Sequence, residues 1–292
     1  MVKRVDFSKE GKVRTKLHQI IDEQSVAANQ EKKKVRTSMY ASDYGSCLRK
    51  TFFNFFPSEY HPDAEIDART ARIFDNGNGV HDRLGSYLKR VPELDFRDEL
   101  DVPRDELEVH GRCDGICIVD AQAMVVEFKS INKEEVYEAK DEHVGQVSWY
   151  MGMMRILRKD LREDFGILDG EVVDEEDLKE PSLSGRVLDT LTPMEKWLLL
   201  TQGEIRAELI YESKPTNEIY TFPVEFNQAT FDKIHMWFEQ LKWHIDNKQV
   251  PKVNYYPSKF PCSWGRPGFG GRCAYYSLCH GNNSHGDKKS DL

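Results

Sequence analysis

Residues 108–131, EVHGRCDGICIVDAQAMVVEFKSI, decide how this chain folds. β-Branched and apolar residues recur in this stretch with a period of two, first in EVHGRCDGICIV and then, after a polar connection, in MVVEFKSI. That period belongs to strands, and with ELDVP just upstream it predicts an antiparallel meander from Asp98 to Ser130. Side chains alternate across a strand, so Glu127 and Lys129 share one face while Val126 and Phe128 turn toward the core. Asp114 precedes Glu127 by thirteen residues and falls on the neighbouring strand, between glycines that suit a bend or a close approach. Two carboxylates delivered from adjacent strands make an oxygen site for a hard cation such as Mg²⁺ or Mn²⁺. Alone, Glu-x-Lys reads as a surface ion pair; its setting is what suggests chemistry.

Upstream, Ser42 is placed to cap a helix carrying Tyr44, Leu48, Phe52 and Phe55 on one face, with Cys47 on that helix. A second helix is expected from Ile66 to Leu88, since Ile66, Thr70, Ile73, Gly77, Val80, Leu84 and Tyr87 are spaced by threes and fours; His81 lies at the edge of the stripe. Downstream, helical periodicity runs from Glu134 to Leu157 and puts Gln146 and Tyr150, four apart, on one face, with His143 a turn earlier. A further helical piece spans Met194 to Leu200. GEIRAELIYE and EIYTFPVEF flank SKPTN as a hairpin, and Phe231 to Ile245 form a last amphipathic helix. Residues 1–37 read as a charged N-terminal extension with one short amphipathic stretch at Leu17, Ile20 and Ile21. Residues 38–282 read as a single domain and 283–292 as a disordered tail.

The chain has 292 residues, 39% hydrophobic and 31% charged, enough apolar material for a substantial core. The N-terminus lacks the apolar centre of a secretory signal and no apolar run reaches membrane-spanning length, so a cytoplasmic protein is expected. The net charge of −9 argues against a protein that grips phosphates until its distribution is read. Residues 163–180 carry nine acids and one lysine, which leaves about −1 for everything else, and the first fifty residues hold twelve Lys or Arg against six acids. A solvated acidic loop and a basic arm account for this equally well, so charge neither supports nor excludes nucleic acid.

A histidine on an early helix, Asp in a Gly-x-Cys-Asp-Gly strand, Glu-x-Lys on the next strand and Gln-x-x-x-Tyr on the following helix come in a defined order. In this the chain resembles the RecB-like branch of the PD-(D/E)xK nucleases over residues 40 to 280, at His81, Asp114, Glu127 with Lys129, and Gln146 with Tyr150. The resemblance implies an α/β restriction-endonuclease-like core, a central mixed sheet flanked by helices, and a metal-dependent DNA nuclease. It further implies that Asp114, Glu127 and the Phe128 carbonyl bind the divalent ion, with His81 as a further ligand. Lys129 would activate the attacking water, and Gln146 and Tyr150 would orient the substrate strand. The implied activity is that of an exonuclease on single-stranded DNA or DNA ends, in bacterial or phage recombination, repair or spacer acquisition. A non-catalytic DNA-binding scaffold and a restriction-type endonuclease are the alternatives.

Six cysteines in a chain with no secretory signal read as buried residues or metal ligands. Cys113 and Cys117, four apart in a strand, are expected on one face as small hydrophobes. Cys262, Cys273 and Cys279 crowd an irregular segment, as thiolates that hold metal do. With Cys47 they resemble the four ligands of a [4Fe–4S] cluster in the iron–sulfur members of the same branch, the CRISPR-associated adaptation nucleases among them. That implies a C-terminal Cys-rich segment packed on the N-terminal helix. The ten residues between Cys262 and Cys273, where that pattern has two, put Cys262 in question, and zinc on the same four thiols is the other reading. Trp264, Phe269, Tyr275 and Tyr276, beside Arg266 and Arg272, either stack single-stranded bases or cover the cluster.

Overall fold

The computed structural model describes residues 16–31, 36–62, 67–119, 122–168, 170–255, 262 and 273–281. Its centre is a five-stranded sheet in the order β1 (Arg97–Val102), β2 (Gly111–Val119), β3 (Gln122–Ile131), β4 (Gln202–Ser213) and β5 (Ile219–Val224). The first three strands form the expected antiparallel meander. β4 then adds to β3 in parallel, and β5 folds back on β4 as the expected hairpin. A parallel neighbour cannot be reached by a tight turn. The crossover is α4 (Asp141–Asp164), the acidic loop and α5 (Pro193–Leu200).

Both faces of β3 are covered. The smaller core holds Val80 and Leu84 of α3 (Ala68–Leu88) against Cys117, Val126 and Phe128. The larger one contains Ile116, Val125, Leu209 and Tyr211 with Val147, Trp149, Met151 and Met153 of α4, and Phe231, Ile234 and Phe238 of α6 (Gln228–Asp246). A near-continuous apolar run such as AMVVEF is what a doubly covered strand requires. Glu127 and Lys129 therefore do not form the surface ion pair that Glu-x-Lys alone suggests: they lie on the α4 face, and Glu127 is only 2% exposed.

The expected helix from Ser42 is also corrected. A single 3₁₀ turn spans Ala41–Asp43, and α2 begins at Leu48 with Cys47 as its N-cap (Leu48–Phe55). Gly45 stands between them at φ +79°, a left-handed conformation that glycine adopts without strain and that ends any continuous helix. The helix expected from Glu134 starts later, at Asp141. The chain before it is tied to the β4–β5 hairpin by Ser213 Oγ to the Lys133 carbonyl and Tyr220 Oη to the Glu134 carbonyl. Within the charged extension, α1 (Lys16–Glu31) packs on α3 through an Asp22–Arg72 ion pair at 2.5 Å, leaving Leu17 and Ile21 exposed. The tail at 283–292 lies outside the described residues, and no helix among the described residues is long and apolar enough to cross a membrane.

Cys113 and Cys117 do not share a face. Cys113 packs in the larger core and Cys117 in the smaller, so the alternation expected of a regular strand does not hold between them. Both are buried, and burial raises both thiols, Cys117 to about 11.

Close packing of α4 on α6 depends on Gly152, where an added Cβ would sit 2.2 Å from the Phe231 ring. Alanine is worth about 1 kcal/mol more than glycine inside a helix, whereas overpacking a core costs roughly 1–3 kcal/mol. Gly152→Ala is expected to lower the urea midpoint with an unchanged m-value. A midpoint equal to or above wild type would show that Phe231 yields and that this contact is not tight.

Candidate active site

The site begins where β2 and β3 part. Their ladder runs from Val119 opposite Gln122 to Gly115 opposite Val126 and stops there. One residue farther on, the Asp114 carboxylate takes over, its Oδ2 accepting the Phe128 backbone N–H at 2.7 Å. A side chain thus occupies the gap that a backbone carbonyl would fill, which holds Asp114 at the split between the strands. The flanking glycines do serve close approaches, here by aromatic rings. A Cβ on Gly111 would lie 2.7 Å from Tyr150, and one on Gly115 only 2.3 Å from Phe96.

His81 reaches Asp114 from α3, with Nδ1 3.0 Å from Oδ1. Burial disfavours the charged imidazole, but the hydrogen bond and the charge of Asp114 outweigh it, and the pKa of His81 is raised overall. In this arrangement His81 is a partner of the carboxylate; to serve as a ligand itself it would have to offer its other nitrogen or exchange that contact.

On the α4 side, Glu127 Oε1 accepts from Lys129 Nζ at 2.6 Å and from Gln146 Nε2 at 2.8 Å. Lys129 also donates to Gln146 Oε1 at 3.0 Å. Gln146 Nε2 donates to Tyr150 Oη at 2.6 Å, and that hydroxyl donates to the Arg112 carbonyl at 3.1 Å. Gln146 and Tyr150 are buried beneath the carboxylate and lysine, where their own contacts are with the protein instead of solvent. They fix Glu127 and Lys129. The Gln-x-x-x-Tyr spacing, one helical turn, is what lets both join a single chain of hydrogen bonds.

Glu127 carries the strongest electrostatic signature. Burial, with the charge of Asp114 adding to it, raises its pKa from 4.5 to about 7 against the opposing pull of Lys129. Its second oxygen, Oε2, is buried without a hydrogen-bond partner. Of the buried side-chain atoms left so among the described residues, it is the only acceptor; the others are Arg and Trp nitrogens. An unpaired buried carboxylate oxygen costs on the order of several kcal/mol unless a cation meets it. An unpartnered carboxylate oxygen with a second carboxylate close by is the donor chemistry that a hard divalent ion would suit. No three His, Cys, Asp or Glu side chains among the described residues converge as a metal cage.

A third carboxylate, Glu212, was not singled out from the sequence. It pairs across β3–β4 with Ser130, is buried, and is held by Arg83 Nη2 at 2.5 and 2.6 Å. Arg83 and Glu212 are 129 residues apart, so no local pattern signals the pair.

Cys262 and Cys273 are neighbours, and both Cys262 and Cys279 feel the charges of Cys47 and Cys273, while no three of these side chains converge on a point among the described residues. Cys273 N–H donates to the Cys262 carbonyl at 2.9 Å, and His280 Nε2 lies 3.2 Å from Cys262 Sγ. Tyr275 packs on Phe53 with tilted rings 5.2 Å apart and donates to Asn54 at 2.9 Å, seating this segment on α2. Burial raises the Cys262 thiol, with the charges of Cys47 and Cys273 adding to it, and raises Cys279 to about 11. Each therefore senses two of the others. Thiols that resist ionisation need a metal's charge to become thiolates. Of the proposed aromatic platform, Trp264, Phe269, Arg266 and Arg272 lie outside the described residues.

The chain is thus a mixed α/β protein with a central five-stranded sheet flanked by helices, and two carboxylates and a lysine gathered where two strands separate. No family model and no curated protein matches it. Among solved structures, the crystal structure of SSO0001 is similar with a TM-score of 0.44 at 13% identity, covering 78% of this chain and 88% of that one. An alkaline exonuclease from Laribacter hongkongensis, LHK-Exo, is similar at 0.41 and 10%, covering 77% and 93%. The same enzyme in complex with dAMP gives 0.41 and 9% identity over 77% and 93%. At such distances the function has to be read from this chain's own residues.

Proposed function

We propose that this protein is a divalent-metal-dependent DNA nuclease of the PD-(D/E)xK type, in its RecB-like branch, acting as an exonuclease on single-stranded DNA or DNA ends. The observation that carries the reading is the buried, partnerless Oε2 of Glu127 beside Asp114 and Lys129. Asp114, Glu127 and the Phe128 carbonyl would hold Mg²⁺ or Mn²⁺, with His81 steadying Asp114. When bound, the ion would supply Lewis-acid polarisation of a phosphoryl oxygen. Lys129 has two of its three ammonium protons engaged by Glu127 and Gln146; the third is left to orient the attacking water or to balance phosphate charge. Gln146 and Tyr150 keep Glu127 and Lys129 from swinging apart, so the reacting groups need little reorganisation. A scaffold with no catalytic role would have no use for a buried carboxylate kept short of partners.

Cys47, Cys262, Cys273 and Cys279 would hold a [4Fe–4S] cluster that staples the two ends of residues 38–282 into one domain. The test of the nuclease reading uses end-labelled single- and double-stranded DNA. Cleavage is expected with Mn²⁺ or Mg²⁺, none with EDTA, and little with Ca²⁺, whose looser coordination activates water less well. Shortening from an end distinguishes exonuclease from internal cutting. Absence of cleavage of either substrate by metal-loaded protein with its cysteine site filled overturns the reading.

A further inference from the structure

His143 stands beside the site on the first turn of α4, one turn before Gln146, and neither the metal ligands nor the Lys129 network uses it. Its half-buried ring meets Tyr211, which neighbours Lys129 in the β3–β4 register. Tyr211 Oη lies 2.8 Å from His143 Nδ1 and also accepts the Lys140 backbone N–H at 3.0 Å. A tyrosine hydroxyl has a single proton to give. Among the described residues Nδ1 is the one acceptor within reach of that hydroxyl, so the proton is assigned to His143 Nδ1 and the imidazole carries its own proton on Nε2. Nε2 has no partner among the described residues, nor is it among their buried partnerless atoms, so it opens to solvent, and the Lys129 charge is near enough to act on the ring.

The surroundings keep this ring neutral. Burial and the positive charges of Lys129 and Lys140 press its pKa down to about 3. The groups that face it are Tyr211 from β4, Lys129 from β3 and Lys140 from the start of its own helix, with Glu142 bearing on Tyr211. A neutral N–H donor held in one tautomer next to a lysine suits a phosphate oxygen, which it can bond without adding a charge that must be desolvated.

We infer that His143 is a substrate-contacting residue, its Nε2–H donating to a phosphate of the bound DNA strand beside Lys129, and that Tyr211 is the positioning residue that locks its tautomer. The inference rests on the nuclease reading. A contact made equally before and during reaction changes KM and leaves kcat alone. His143→Ala is therefore expected to raise KM for DNA about tenfold with kcat within about twofold, and His143→Gln, which keeps an N–H donor, to recover part of the loss.

Long-range ¹H–¹⁵N spectra of the wild-type holoprotein read the tautomer directly. A single Nε2–H species from pH 5 to 8, whose Nε2 resonance shifts when uncut DNA is added in Ca²⁺, is expected. Tyr211→Phe should release the lock and give mixed tautomers. An Nδ1–H ring in the wild type, or an unchanged KM in a folded His143→Ala protein, overturns the inference while nuclease activity stands. A wild type that cleaves no DNA with any divalent metal overturns the nuclease reading and this inference with it.

Discussion

Glu127→Gln is expected to reduce metal-dependent DNA cleavage by roughly 10³-fold or more and, at the same time, to stabilise the metal-free protein above neutral pH. The amide oxygen can still accept from Lys129 and Gln146, so the network survives while the negative charge is lost. Glu127 binds its proton more tightly in the folded chain than in the unfolded one, since its pKa rises from 4.5 to about 7. A raised folded-state pKa means that its contribution to stability is fully present below about 4.5 and is lost as pH climbs through about 7. Glutamine has no charge to bury and escapes that loss, a difference on the order of 1–3 kcal/mol at pH 8 that vanishes near pH 4.

A bound cation removes the same penalty. Mn²⁺ should raise the melting temperature of wild type more at pH 8 than at pH 5.5, and that of Glu127→Gln little at either. Thermal melts with EDTA or Mn²⁺, run beside the cleavage assay, separate the two effects. Cleavage at the wild-type rate by folded Glu127→Gln sinks the assignment of this carboxylate. A variant that is inactive but less stable at pH 8 would mean that Glu127 serves the fold as an ion pair.

The second large effect lies at the other end of the molecule. Cys47→Ser is expected to remove the iron and sulfide of protein purified without oxygen and to lower its melting temperature by about 10 °C or more. Beyond the Tyr275 contacts with Phe53 and Asn54, a group held by both Cys47 and Cys279 would add a link across more than two hundred residues, which removes a large share of the unfolded chain's freedom. Cys279→Ser should behave alike, while Cys113→Ser and Cys117→Ser, whose thiols pack in the two cores, should keep the metal. Colourless wild-type protein with one zinc per chain would replace the cluster by a single ion. Full iron in Cys47→Ser would dismiss this set of ligands, and full iron in Cys262→Ser would move the fourth place to His280, whose ring already lies beside that thiol.

Much of this was legible along the chain, because periodicity is local. The alternation in VVEFKS put Glu127 beside Lys129, a turn of fixed length put Asp114 on the next strand, and a spacing of four put Gln146 above Tyr150. All of these follow from bond geometry over a few residues. The boundaries of α2 and α4 did not, because Gly45 and the ties from Ser213 and Tyr220 act against the local helical pattern.

What covers a face depends on elements far away in sequence. Nothing in VVEFKS says that α4 will close over Glu127, so the strand read as half-exposed, and the buried Oε2 with its raised pKa became visible only once Gln146 was in place. Cys113 and Cys117, four apart in one strand, likewise end in opposite cores, which their spacing does not announce. Local sequence determined which groups of this protein could meet. Tertiary packing decided which of them were taken out of water, and desolvation is what turns a carboxylate, a lysine and a neutral histidine from surface groups into chemistry.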